Sequence, residues 1–221
     1  MKWLNSLERR LGRYAIQNLM IYVVALNAVV FLLTVLVPES NLIGKFILHP
    51  ALVLKGEVWR LITFLFIPPD FSILWIVFTL YFYYLVGNSL EQQWGSFRFN
   101  IYYLVGVLAT IAASFISNSP VTPVHLNLSL FLAFAFLFPN FQIMLFFILP
   151  VKIKYLAWLE WLFIIVTVLF LPLPEKLAAL ASVANFFLFF TKDLIDYAKN
   201  RRQVYINRRR FRKAMRDYHR D

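Results

Sequence analysis

Phe71-Ser72-Ile73-Leu74-Trp75-Ile76-Val77-Phe78-Thr79-Leu80-Tyr81-Phe82-Tyr83-Tyr84-Leu85-Val86-Gly87-Asn88-Ser89-Leu90 carries no charge and is closed by Glu91-Gln92-Gln93-Trp94-Gly95-Ser96. A helix of about 20 apolar residues crosses the ~30 Å hydrocarbon layer of a bilayer, and this run has that length. Five further runs of the same character lie around it, at about 17–37, 98–116, 123–138, 154–171 and 175–191. Each is closed by a polar or proline-bearing stretch, such as Ser117-Asn118-Ser119-Pro120, Phe138-Pro139-Asn140 and Pro172-Leu173-Pro174. The run 141–151 is too short to cross alone and reads as an interfacial strand or re-entrant piece. Residues 38–70 mix Lys45, His49, Lys55, Glu57 and Arg60 with apolar neighbours, the pattern of interfacial helices and loops.

Composition agrees with this count. Of 221 residues, 61% are hydrophobic and 15% charged, against roughly 45–50% and ~25% in a soluble domain. A water-soluble chain of this length has too little interior to hide so much apolar surface, which excludes a soluble enzyme or nucleic-acid binder. The expected architecture is an all-α membrane protein of six transmembrane helices. Its parts are a basic N-terminus at 1–16, a membrane domain at 17–192 with an interfacial first loop, and a basic tail at 193–221. With no cysteine there is no disulfide, thiolate nucleophile or Cys-ligated metal. Three scattered histidines and few carboxylates give no metal-ligand cluster, and no cofactor is implied.

Six spans put every Lys and Arg except Lys45, Lys55, Arg60 and Lys176 on one side of the membrane. The positive-inside rule makes that side cytoplasmic, with both termini on it. Lack of cysteine and compact size favour a bacterial inner membrane. The tail carries Arg201-Arg202 and Arg208-Arg209-Arg210-x-Arg212-Lys213, interleaved with Val204, Tyr205, Ile206, Phe211 and Met215. Such a juxtamembrane segment draws to anionic lipid at about 1 kcal/mol per basic residue. Ribosomal RNA or an acidic protein is the alternative partner of the tail, and DNA is not expected.

Gly56-Glu57-Val58-Trp59-Arg60-Leu61-Ile62-Thr63-Phe64 resembles the Trp-Arg motif in the first loop of the rhomboid superfamily, derlins included. Gly87-x-x-x-Glu91-x-x-x-Gly95-Ser96-x-Arg98-Phe99 is similar to that superfamily's junction between the second and third spans. Phe138-Pro139-Asn140, followed by Leu149-Pro150-Val151-Lys152-x-Lys154-x-Leu156-Ala157, resembles the end of its fourth span and the linker beyond. The resemblance covers roughly 17–192. The motif residues Trp59, Arg60, Glu91, Gly95 and Arg98 read as scaffold. Arg60 is expected to donate to loop carbonyls or Glu57, Glu91 to turn toward amides or Arg98, Gly95 to permit the reversal and Ser96 to cap the next helix.

A rhomboid protease works by a serine in a Gly-x-Ser-Gly at the start of the fourth span and a histidine in the sixth. A His and an Asn of the second span stabilise the oxyanion. Laid against that pattern, this chain has Val124 at the nucleophile, Ala179 at the base, and Trp75 and Thr79 at the oxyanion His and Asn. Valine cannot attack a carbonyl, and no histidine occurs between residues 126 and 218, so no slip of the alignment restores a base. Phe131, Phe134, Phe186 and Phe187 are expected to hold the fourth and sixth helices apart or to force a different crossing. His125 and Ser129, one turn apart, are the remaining candidates for a displaced dyad.

The resemblance then implies a non-proteolytic, derlin-like pseudoprotease that binds transmembrane client segments through a lateral opening near the second and fifth spans. A rhomboid-type intramembrane serine protease with a non-standard site is the alternative, and a transporter the third class. Polar residues at membrane depth are costly, and Glu160, Asn185 and Asn88 are the candidate client-binding residues. Glu160 is expected to reach Lys154, Lys192 or Asn185. Asn27 and Asn88 are expected to bond between helices.

Overall fold

The computed structural model describes residues 2–69, 72–145, 149–191, 199, 203 and 207. An N-terminal helix α1 (Lys2–Leu11) precedes the long apolar helix α2 (Leu19–Leu36). The first loop folds into short helices α3 (Leu42–Phe46), α4 (Pro50–Val53) and α5 (Arg60–Thr63). Then come α6 (Ile73–Trp94), α7 (Ser96–Ser117) and α8 (Val124–Leu137), strands β1 (Gln142–Leu145) and β2 (Leu149–Lys152), and α9 (Ile153–Phe170). A last apolar helix, α10, spans Leu173–Thr191. Five of these helices are long and apolar enough to cross a membrane, and α8 is a shorter apolar helix. The protein is an integral membrane protein with an all-α bundle, ornamented by one antiparallel hairpin that pairs Gln142 with Lys152 and Leu145 with Leu149.

The chain divides into two compact units, Met1–Phe186 and Phe187–Asp221. In the second, Thr191 donates to the Phe187 carbonyl and Gln203 to Asn207. The lipid and RNA contacts expected of the tail fall mostly on residues outside those described.

Helix ends differ from the hydropathy boundaries for identifiable reasons. The second span does not stop before Glu91 but runs to Trp94, because the break is made by Gly95 at φ +82°, a conformation L side chains rarely adopt. At 14 residues α8 is about 21 Å long at 1.5 Å per residue, short of the ~30 Å layer. It contacts α6, α7 and α9, and its buried residues (Leu126, Ser129, Leu130, Leu132, Ala133) run around its circumference. A helix apolar on every side is one surrounded by protein, and a surrounded helix has no need to match the bilayer.

Polar groups fix the periphery. Arg60 is 4% exposed and spends its fork on the first loop: Nε and Nη2 on Glu57 Oε2 at 2.7 and 2.6 Å, and Nη1 on the carbonyls of Gly44 and Ile47 at 2.7 and 2.9 Å. Val121 donates to the Leu48 carbonyl, tying that loop to the entry of α8. Asn27 donates to its own helix at Val23 and to the Leu65 carbonyl, so it joins α2 to the end of the first loop rather than to another long helix. Phe31, Ile76 and Leu80 pack α2 on α6.

Because Arg60 answers two carbonyls and a carboxylate at once, Arg60→Ala is expected to destabilise the fold by about 3–5 kcal/mol. Protease sites should open within residues 42–59. Limited proteolysis and tryptophan-fluorescence unfolding in detergent check this, and an unchanged cleavage map would contradict it.

Candidate functional site

The family-motif residues gather into two scaffolding knots. Glu91, 8% exposed, accepts from the Asn18 backbone N–H at 2.8 Å and from the Ser96 hydroxyl at 2.6 Å. One carboxylate thus serves the start of α2 and the start of α7, where helix dipoles favour negative charge. The expected partner Arg98 instead pairs with Glu8 of α1, at 3.1 Å. Ser96 and the Asn18 amide share Glu91 Oε1, the amide being the other partner expected of it, and Glu91 Oε2 is buried with no hydrogen-bond partner. Ser96 therefore acts as a donor to Glu91 and makes no capping bond, Gly95 being the N-cap residue. Trp59 is half exposed at the start of α5.

The four positions matching a protease site are scattered by chemistry as well as by type. Val124 opens α8 and is 42% exposed. Ala179 is buried, and its carbonyl accepts from Ser182 Oγ at 2.7 Å. Trp75 packs edge-on to Phe78, with centroids 6.3 Å apart, and Thr79 is half-buried on the same helix.

α8 and α10 meet through the Phe136–Phe186 ring pair, centroids 6.1 Å apart, and through polar groups. Ser129 Oγ lies 2.6 Å from the Tyr102 hydroxyl and accepts from Asn185 Nδ2 at 3.1 Å. Tyr102 also donates to the Ser129 carbonyl at 2.9 Å, and Asn185 Nδ2 reaches the Tyr102 carbonyl at 3.4 Å. Ser129 and Tyr102 are wholly buried and Asn185 is 2% exposed. Gly106, one turn beyond Tyr102, makes room: a Cβ there would stand 2.5 Å from Leu126 and 2.9 Å from Asn185. The bulky phenylalanines do not hold α8 and α10 apart. Phe131 turns to Phe82, Phe134 to Phe138 and Phe141, and Phe186 to Phe136 and Trp161. Asn185 is spent on this clasp and not on Glu160. Tyr102 was not among the residues the sequence singled out; its i,i+4 spacing to Gly106 is the signal that places both on one face.

His125 and Ser129 are not joined by any bond among the described residues.

A second feature lies between α6 and α9. A cavity of about 760 Å³ is lined by Phe78 and Phe82 of α6, Leu128 and Phe131 of α8, and Leu159 and Phe163 of α9. It includes Val124 at its rim and Met20 of α2. Leu159, Leu162 and Phe163 are each more than half exposed, so the cavity opens on the outer face of α9. The polar side chains that line it are Tyr83, Asn127 and Glu160. Tyr83 and Asn127 share a hydrogen bond. Glu160 Oε1 is buried with no hydrogen-bond partner. The Lys154 ammonium, expected near it, sits over the Tyr155 ring at 5.2 Å. Asn88 is half-buried on α6 and is not among the residues that line the cavity.

If the Tyr102–Ser129–Asn185 cluster holds the bundle together, a Tyr102→Phe/Ser129→Ala double-mutant cycle should return a coupling of about 0.6–1.7 kcal/mol, the range for interhelical bonds in membranes. Reversible unfolding in mixed micelles measures it, and additive single mutants would contradict it.

No curated protein and no solved structure matches the chain. A family model described as the Rhomboid domain matches residues 55–189. That match takes in the Trp59-Arg60 motif, the Glu91–Arg98 junction, the α8–α10 contact and the cavity lining except Met20, and on it the chain belongs to the rhomboid family.

Proposed function

We propose that this rhomboid-family membrane protein is non-proteolytic and holds transmembrane segments of other proteins in the cavity between α6 and α9. The observation that carries this reading is the environment of Ser129. It is the buried serine of α8, it lies where α8 meets α10, and its partners there are a phenol and an amide. Activating an alcohol for acyl transfer needs a base within about 2.6–3.2 Å and an approach for the substrate carbonyl. Fully enclosed, Ser129 has neither.

The cavity supports the second half of the reading. Its 760 Å³ matches roughly two turns of a helix 10 Å across. Its lining suits the apolar face of a membrane-spanning segment, and its mouth faces lipid. Docking there needs no broken backbone hydrogen bond, since a client helix satisfies its own.

In this reading both termini face the cytoplasm of a bacterial inner membrane, as the distribution of Lys and Arg supports. The basic tail contacts anionic headgroups, with RNA or an acidic protein as its alternative partner. The other functional reading, an intramembrane serine protease with displaced residues, rests on His125 and Ser129 being one turn apart. Ser129's bonds to Tyr102 and Asn185 weigh against it.

In proteoliposomes, the purified protein should capture a fluorescent single-span segment and release no fragment over hours. Leu128→Trp, which fills the cavity, should lower capture about ten-fold. Cleavage that disappears in Ser129→Ala or His125→Ala would overturn the reading in favour of the protease.

A further inference from the structure

We propose that the Glu160 carboxylate selects client segments carrying a lysine or arginine inside the membrane. This rests on the cavity being a docking site for such segments and names the feature it recognises. Glu160 stands seven positions beyond Ile153, the first residue of α9, and so about 10 Å along the helix. Lys152 and Lys154 flank that helix start and mark the level of the headgroups. Glu160 therefore lies inside the hydrocarbon, below the reach of a lipid amine.

Among the described residues no cation is paired with it, and Lys192, the other cation expected near it, lies outside those residues. Among the described residues the ion pairs are Arg60–Glu57 and Arg98–Glu8, both remote from the cavity. Lys154 is turned onto Tyr155. Tyr83 and Asn127, the other polar groups of the lining, bond to each other. One carboxyl oxygen of Glu160 is buried and unanswered, and among the described residues Glu160 is the one charged residue of the lining. Asn27, Ser129, Tyr102 and Asn185 each have a hydrogen bond supplied by the protein. A single acid in an apolar groove discriminates by sign: it answers a client's buried cation, is indifferent to leucine and repels a carboxylate. The same desolvation that makes a lone Lys or Arg expensive in lipid strengthens its attraction to Glu160.

The test uses the full chain in nanodiscs of phosphatidylcholine and phosphatidylglycerol. The probes are fluorescent single-span Leu/Ala peptides with Lys, Leu or Asp placed about 10 Å from one end. The Lys peptide should bind at least about ten-fold tighter than the Leu peptide, with Asp weakest. Glu160→Gln should bring Lys down to the Leu value without changing the Leu value, and Glu160→Lys should turn the preference to Asp. Equal binding of the three peptides overturns this inference and leaves the docking site standing, whereas no binding of any peptide overturns both. A Glu160→Gln protein that loses the Leu peptide as well makes Glu160 a structural residue and overturns the selection. Loss of the Lys preference on adding phosphatidylethanolamine assigns the carboxylate to a lipid amine and overturns it too.

Discussion

Hydrocarbon offers no water to answer a polar group, so every donor or acceptor held at membrane depth is answered by the protein or left at a cost. The structure is organised by that constraint. Asn27 closes α2 onto the first loop, Glu91 gathers the starts of α2 and α7, and Tyr102, Ser129 and Asn185 bond to one another across three helices. Each answered group is a joint between elements. Of the buried atoms left without a partner among the described residues, which include Glu91 Oε2 and Asn185 Oδ1 at those joints, Glu160 Oε1 is the one on a residue that lines the cavity.

The same constraint bears on catalysis. A serine protease must keep its hydroxyl buried enough to exclude bulk water, yet open to substrate and next to a base. In the proposed reading the Ser129 hydroxyl is taken up by an amide and a phenol instead, and Ala179 stands where the resemblance puts the base. The central placement of α8 and the small Gly106 behind it bring these groups within bonding distance. The cavity lies on the opposite side of α8, lined by Leu128 and Phe131 rather than by Ser129. Joint and groove thus occupy different faces of one short helix.

Much of this was legible in the residues. Apolar runs closed by Pro, Gly and polar stretches placed all the long helices, and the short run after Asn140, too brief to cross, was readable as a strand or a re-entrant piece. Boundaries were less so: hydropathy ended the second span at Leu90, but helix geometry persists until Gly95 forces a positive φ. Arg60's partners followed from its fork and the carbonyl-rich loop beside it. Pairings between distant segments did not follow. Nothing in the local pattern assigns Arg98 to Glu8 rather than Glu91, or Asn185 to Ser129 rather than Glu160, because those choices are made by helix rotation. The phenylalanines were unreadable for the same reason: composition counts the rings but not the face on which they project, and Phe186 of α10 meets Phe136 of α8.

The most direct check on the central claim is chemical. Full-length protein in lipid, incubated with a fluorophosphonate that acylates activated serines, should yield no adduct on any serine by intact-mass and peptide mass spectrometry. Stoichiometric modification of Ser129 would mean that a base and an open path reach it, and the account of a hydrogen-bonded joint in place of a catalytic pair would be wrong.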